Sequence, residues 1–151
     1  MESVMRKRAG RRTVIAMSMA AGLVVGLATS ADAVQDAYYN VSVFKGGTRL
    51  ARADGTISWI DARNFAILNA RLTDSACDGR PVYFFLDISG QWNGRTRTNS
   101  LGCGRTVSFG RIPTRDDSGI RYVDIWVCRD VANTFADDCT HQVHRNPYFR
   151  G

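Results

Sequence analysis

The chain has 151 residues, of which 44% are hydrophobic, and a formal net charge of +6 at pH 7. Five of the 20 basic residues and two of the 14 acidic residues lie before residue 34, so the rest of the chain carries only about +3. So weak a charge argues against nucleic acid as a partner. The part after residue 33, about 118 residues long, has the length of one domain, which excludes a multidomain architecture.

The N-terminus has the three parts of an export signal in the usual order. Basic residues are concentrated in Arg6–Arg12, an apolar stretch follows at Val14–Ala28, and Ala31-Asp32-Ala33 offers small residues to a signal peptidase. The apolar stretch is shorter than the roughly 20 residues that a membrane span needs. We therefore predict a signal peptide at 1–33 and a secreted domain at 34–151. The domain is expected to be extracellular or associated with the cell wall, with no membrane contact after cleavage.

Alternation of apolar and polar residues with a period of two dominates the rest of the chain. The clearest case has aliphatic residues on one side of the strand and aromatic or acidic residues on the other. No stretch after the signal has sustained helical periodicity. Seven strands are predicted in this way: Tyr38–Phe44, Thr56–Ile60, Phe65–Leu72, Val82–Ile88, Arg95–Asn99, Thr106–Phe109 and Ile120–Cys128.

Turn-forming residues separate the predicted strands. They are Gly46-Gly47, Asp54-Gly55, Asp78-Gly79, Asn93-Gly94 and Asp116-Asp117-Ser118-Gly119. Short strands joined by such turns, without helices, predict an all-β fold. We expect a small antiparallel β-sandwich of about seven strands, with a small β-barrel as the alternative.

Four cysteines in an exported chain predict two disulfides. Cys77 and Cys103 are equidistant from Gly90, which lies in a turn between two predicted strands, so a hairpin centred there would bring them together. Cys128 and Cys139 flank a polar loop in the same symmetric way. We therefore predict the pairs Cys77–Cys103 and Cys128–Cys139.

No motif for a metal, a cofactor or catalysis stands out. His141 and His144 are the two histidines, and residues three apart on an extended chain point to opposite sides, so we expect two solvent-facing side chains. The cysteine spacings lack the close pair of a zinc site. No Gly-x-Ser-x-Gly nucleophile motif is present. We predict no metal, no cofactor and no catalytic residue, and favour a non-catalytic protein over an enzyme.

The second face of the strong strands is the main candidate for function. If aliphatic rows fill the core, the opposite rows carry aromatic residues with carboxylates among them, and Phe65 and Ile67 are expected on that side. A sheet face exposed to water is ordinarily polar, whereas rigid aromatic side chains suit a binding surface. The loop residue Trp92 is a separate exposed candidate. The predicted ligand-binding residues are Tyr83, Phe85, Trp92, Tyr122, Asp124 and Trp126.

The alternative is that the C-terminal arm, with Val143, Tyr148 and Phe149, covers this aromatic face. A buried carboxylate between two rings would then need a cationic partner. For Asp124 the candidate partners are Arg121, Arg145 and Arg150.

Two segments carry a general resemblance: Thr73–Arg80 before a strong strand, and Val127–Thr140 near the C-terminus. With the basic signal and the bias towards arginine, the chain resembles the small secreted two-disulfide β-proteins of actinobacteria. Many of these have no assigned activity, so the resemblance implies a type of fold and a compartment but no active residue.

These patterns predict a non-catalytic secreted β-sandwich protein, expected to be monomeric, that binds an extracellular carbohydrate, peptide or protein. Two alternatives remain. A concave pocket with converging Asp, Arg and His side chains would favour a small secreted hydrolase. Long unpaired strand edges with a flat apolar face would favour a structural component of the cell envelope.

Overall fold

The computed structural model describes residues 35–92, 96–131 and 137–151, which belong to one compact unit, Asp32–Gly151. The predicted signal peptide and the predicted turn Asn93-Gly94 lie outside the described residues. None of the described residues forms a helix that could cross a membrane. They form nine strands: β1 Gln35–Lys45, β2 Thr48–Trp59, β3 Asn64–Asp74, β4 Val82–Ile88, β5 Gln91–Trp92, β6 Arg97–Asn99, β7 Thr106–Arg115, β8 Tyr122–Arg129 and β9 Asp138–Arg145.

The strands form two antiparallel sheets, which confirms the predicted all-β sandwich. The first sheet has the order β1-β2-β3-β7, and the second has the order β5-β4-β8-β9 with β6 also paired to β4. β5 and β6 pair with successive parts of β4, on the side away from β8, and so act as one interrupted edge strand. The four strands of the first sheet are longer than predicted; β2, for example, begins at Thr48 rather than Thr56. In the second sheet, β9 replaces the expected C-terminal arm.

The core lies between the two sheets and is filled by alternate residues of both. The aliphatic rows of β4 and β8 face inward as predicted, and each residue in them is at most 5% exposed. Burial of this apolar surface, at about 25 cal/mol per Å², is the main force that holds the two sheets together. The largest fully buried side chains include Trp59, Tyr39, Phe65, Phe84 and Ile57.

Phe65 and Ile67 correct one expectation about the faces of the strands. The alternation along β3 predicts an outward position for both, but they are 1% and 0% exposed and belong to the core. The pairing of β3 with β7 shifts between Ile67 and Ala70, where Asn69 has a positive φ of 54°. This bulge changes the phase of the strand. Ala70 and Leu72, after the bulge, therefore face the core together with Phe65 and Ile67, before it.

The Asp54-Gly55 pair lies in the middle of β2, so its prediction as a turn was wrong. Gly55 pairs with Tyr39 of β1, and a Cβ at Gly55 would lie 2.7 Å from the Tyr39 hydroxyl. The glycine therefore permits the close approach of a buried tyrosine. Asp54 faces the outer side, where the Nε atom of Arg71 donates to it at 2.9 Å and that of Arg52 lies 3.5 Å away.

The two disulfides pair as predicted, Cys77 with Cys103 and Cys128 with Cys139. Ser89-Gly90 forms a two-residue turn between β4 and β5, and both of its residues have positive φ. The hairpin is therefore centred at Gly90, as predicted from the equal spacing of Cys77 and Cys103 on either side of it. Trp92 lies after this turn, in β5, rather than in a loop. Two disulfides indicate an oxidising environment outside the cytoplasm.

The C-terminal arm is an edge strand of the second sheet and not a cover over its outer face. β9 pairs with β8 from Tyr122 to Arg129. Beyond β9, Asn146 donates a hydrogen bond to the Asp61 carbonyl at 3.0 Å and accepts one from the Tyr148 amide at 2.9 Å. Tyr148 packs against the core, so the last residues are held by loops at one end of the sandwich.

Candidate functional site

Three strands of the second sheet place four aromatic side chains in a row on its outer face. Phe85 of β4 lies opposite Trp126 of β8, which lies opposite His141 of β9, and directly paired residues share a face. The Trp126 ring is 5.9 Å from Phe85 and 4.3 Å from His141, with interplanar angles of 5° and 9°. Tyr83 stacks on Phe85 at 6.3 Å and 22°. We call Tyr83, Phe85, Trp126 and His141 the aromatic row.

Asp124 fixes the His141 end of the aromatic row. The residue is 7% exposed, and both carboxylate oxygens lie 2.9 Å from Nδ1 of His141. This contact orients the imidazole, which stays stacked on Trp126 although its side chain is 48% exposed. His141 therefore faces solvent as expected, but its imidazole is held by two contacts. The partner of Asp124 is this histidine, rather than one of the predicted arginines Arg121, Arg145 and Arg150.

His144 points to the opposite side of β9, as its spacing from His141 requires on an extended chain. It lies opposite Val123 and is half-buried, and this burial lowers the pKa of its imidazole. The expectation of two solvent-facing histidines thus holds for His141 and was wrong for His144. Within the part of the chain that the structure describes, no group of three or more His, Cys, Asp or Glu is placed to hold a metal ion.

A hydrogen bond from the Tyr83 hydroxyl to the Asp137 carboxylate fixes the other end of the aromatic row. Asp137 also accepts a hydrogen bond from the Val131 amide at 3.0 Å. The Tyr83 and Val131 donors hold the pKa of Asp137 below its usual range. Burial, reinforced by the Asp137 carboxylate, raises the pKa of the Tyr83 phenol. Tyr83 is therefore a neutral donor whose ring is held in one orientation.

A groove runs beside the aromatic row on the side of β6. Thr98 lies opposite Tyr83, and its short side chain leaves space next to the taller ring. The groove has a volume of about 440 Å³. Ring surface thus lies beside residues with hydrogen-bonding groups, namely the two threonines and Asp130. The residues that line it are Pro81, Tyr83, Phe85, Thr96, Thr98 and Asp130.

The structure unites half of the predicted ligand-binding residues in the aromatic row, namely Tyr83, Phe85 and Trp126. Asp124 supports the row through His141. Tyr122 lies on the same side of β8 but at its far end, where its hydroxyl approaches Gly90, so it is not part of the row. Trp92 lies in β5, and its side chain is outside the described residues.

Sequence reasoning did not single out His141, Asp137, Thr98 or Asp130 as site residues. A signal for His141 was present: once Cys128 is opposite Cys139, the antiparallel register places His141 opposite Trp126. The other three carry no such signal. Their contacts depend on how a loop and an edge strand pack beside β4, which neither alternation nor turn chemistry predicts.

Comparison with known proteins adds little to this description. No protein-family model and no curated protein matches the chain. Among solved structures, the variable (V) domain of the AgI/II polypeptide BspA of Streptococcus agalactiae matches with a TM-score of 0.35 and 6% sequence identity. The match covers 94% of this chain and 95% of that chain. At this degree of similarity, neither the fold nor the function of this chain can be inferred from that domain.

Proposed function

We propose that the mature chain is a secreted, non-catalytic protein that binds an extracellular carbohydrate through the groove beside the aromatic row. The observation that carries this proposal is the arrangement of the Tyr83 and Phe85 rings next to Thr96, Thr98 and Asp130. A pyranose ring has apolar C–H faces and hydroxyl groups around its rim. It therefore matches an apolar wall that is bordered by hydrogen-bond donors and acceptors.

The size and rigidity of the groove support a small polar ligand. Its volume of about 440 Å³ falls in the range of roughly 300–1,000 Å³ that is typical of small-molecule sites. The Tyr83–Asp137 hydrogen bond and the stacking on Phe85 hold the wall in place before any ligand arrives. A site formed in advance loses little conformational entropy on binding, which suits weak ligands such as single sugar units.

The charge of the groove also favours a neutral, hydroxyl-rich ligand over an anion. Its charged lining residue is Asp130, and none of its lining residues is basic. Carboxylates accept hydrogen bonds from sugar hydroxyls but repel carboxylates and phosphates. A peptide or protein ligand, the other class considered for this face, is an outcome that the following experiment separates.

Affinity electrophoresis of the mature protein in gels that contain xylan, mannan, β-glucan or soluble cell-wall polysaccharide tests the proposal. We expect at least one polysaccharide to retard the wild-type protein. Tyr83→Ala should weaken that binding about tenfold or more, because a central aromatic contact is lost. Tyr83→Phe keeps the ring and should retain binding.

Tyr38→Ala is the matched control, because Tyr38 is 58% exposed and lies in the first sheet. This variant should bind as the wild-type protein does. Equal losses in Tyr83→Ala and Tyr38→Ala would contradict the proposed site. Failure of every polysaccharide to retard the wild-type protein, with capture of a peptide or protein in its place, would contradict carbohydrate as the ligand.

A further inference from the structure

A second cavity lies inside the sandwich, on the core side of the second sheet. It opens where β4 and β6 face β7 and has a volume of about 260 Å³. The aromatic row and its groove lie on the outer side of the same sheet, so the two sites are separated by the sheet itself. The cavity is lined by Phe84, Leu86, Ile88, Arg97, Ile112, Pro113, Thr114 and Arg115.

Arg97 is the unusual residue of this cavity. It lies opposite Phe84 in the pairing of β6 with β4, which places it on the core-facing side. It is half-buried, and no carboxylate or hydrogen-bond acceptor among the described residues pairs with it. Some guanidinium groups of the domain do have carboxylate partners, such as Arg71 with Asp54 and Arg129 with Asp78. The guanidinium of Arg97 therefore has no counter-charge within the described protein, and an anion bound in the cavity would supply one.

The remaining lining of the cavity defines the rest of the ligand. No lining residue is acidic, and polar and apolar groups contribute to the exposed wall in similar proportion. Arg115 lies 2.7 Å from Asp117 through Nη2, so its charge is already compensated. A cavity with both apolar and polar walls and one unpaired cation fits a molecule that has one anionic head and one hydrocarbon tail.

We infer that this cavity binds a medium-chain fatty acid. The carboxylate accepts two hydrogen bonds from the fork of Arg97, which matches the geometry of a carboxylate. The hydrocarbon chain lies against Phe84, Leu86 and Ile112 and replaces space that the core leaves unfilled. This inference is independent of the proposed carbohydrate site, since it involves no residue of the groove.

Thermal unfolding and calorimetric titration of the mature protein with decanoate, below its micelle concentration, test the inference. Decanoate should bind with one-to-one stoichiometry and raise the melting temperature in a concentration-dependent way. Decanol has the same tail without the charge and should bind at least about tenfold more weakly, because it lacks the charge-assisted contact. Decyltrimethylammonium should not bind at the site, since its head has the same charge as Arg97.

Arg97→Gln should reduce the affinity for decanoate about tenfold or more, to the level of decanol, whereas Arg115→Gln should leave it unchanged. Ile112→Trp, which fills the cavity from β7, should abolish binding of both compounds. Tyr83→Ala should retain decanoate binding, which separates this site from the groove. Equal affinity of wild-type protein and Arg97→Gln for decanoate, or no binding by the wild-type protein, would overturn the inference.

Discussion

The outer faces of the two sheets differ in how their side chains satisfy one another. On the first sheet the groups around Asp54 are mostly polar and paired, although Tyr38 is exposed beside them. Asp54 lies between Arg52 and Arg71, and the hydroxyls of Thr73 and Thr106 are 2.8 Å apart. On the second sheet the corresponding positions carry the aromatic row. Both outer faces belong to one fold and cover the same core. Packing of the core therefore does not explain why the aromatic row is present on the outer face of the second sheet.

The comparison indicates which face has a role beyond folding. A solvated sheet face with ion pairs and hydroxyl pairs is what an antiparallel sandwich ordinarily presents. The outer face of the second sheet partly exposes the rings of Tyr83, Phe85 and Trp126. Two carboxylates, Asp124 and Asp137, hydrogen-bond to the ends of the aromatic row and orient them. Rings held rigidly at a surface are typical of binding sites, which supports the proposal that this face binds the ligand.

The largest expected difference is between removal of a tryptophan from the core and removal of one from the aromatic row. Trp59 is 2% exposed in the core and lies 5.1 Å from Phe65, so Trp59→Ala should lower the free energy of unfolding by about 3–5 kcal/mol. Trp126 is half-buried in the aromatic row, so Trp126→Ala should lower it by only about 1–2 kcal/mol, through lost stacking. Urea unfolding of the two variants measures the difference. A loss at Trp126 as large as that at Trp59 would mean that the row is part of the structural core.

The Cys128–Cys139 disulfide should contribute both to stability and to the aromatic row. Replacing both cysteines by serine removes a cross-link between β8 and β9 and should lower the free energy of unfolding by about 3 kcal/mol. The variant should also loosen the His141–Trp126 stack, since the disulfide lies two residues from each ring. The ring-current shift of the His141 protons in NMR spectra reports this stacking.

The matched control is the double serine variant of Cys77 and Cys103. This pair closes a longer loop, so its removal should cost a similar free energy. Because it does not join β8 to β9, the His141 shift should stay as in the wild-type protein. The same change of that shift in both variants would show that the stack depends on global stability and not on the local cross-link.

The smallest expected effect concerns His144, on the core side of β9. Burial lowers the pKa of its imidazole in the folded state, whereas the unfolded chain has the ordinary value of about 6.5. Below that pH the unfolded state binds more protons, so the free energy of unfolding should fall as the pH decreases. Urea unfolding at about pH 7.5 and about pH 5.5 should show a smaller fall in His144→Gln than in the wild-type protein.

His141→Gln serves as the control for this pH effect, because it changes the outer side of the same strand and retains His144. The fall in stability that His144 causes should therefore persist in it. An unchanged pH dependence in His144→Gln would mean that burial at this position does not favour the neutral imidazole.

The sequence predicted those parts of the fold in which the alternation of apolar and polar residues matches the buried and exposed faces of the strand. The aliphatic rows of β4 and β8 are buried as predicted, because alternation along an unbroken strand determines its two faces. The disulfide pairing followed from the symmetry of a hairpin centred at Gly90. Both signals involve residues close in sequence and need no knowledge of how the sheets pack.

The errors arose where a distant residue determines the local structure. Gly55 resembles a turn residue, but its backbone is extended because Tyr39 of the neighbouring strand occupies the space of a Cβ. Asn69 shifts the phase of β3 through a single positive φ, which the alternating pattern does not record. At the candidate site, Asp137 and Thr98 become important only through their neighbours, so composition and spacing could not identify them.

The central claim is that the outer face of the second sheet, and not that of the first, binds the ligand. Amide chemical-shift mapping of the labelled mature protein, titrated with an oligosaccharide from the polysaccharide that retards it, tests this claim most directly. The account predicts that the largest shifts cluster at Tyr83, Phe85, Thr96 and Thr98, with little change along β1 and β2. Shifts concentrated around Asp54 and Arg71 on the first sheet, with none beside the aromatic row, would contradict it.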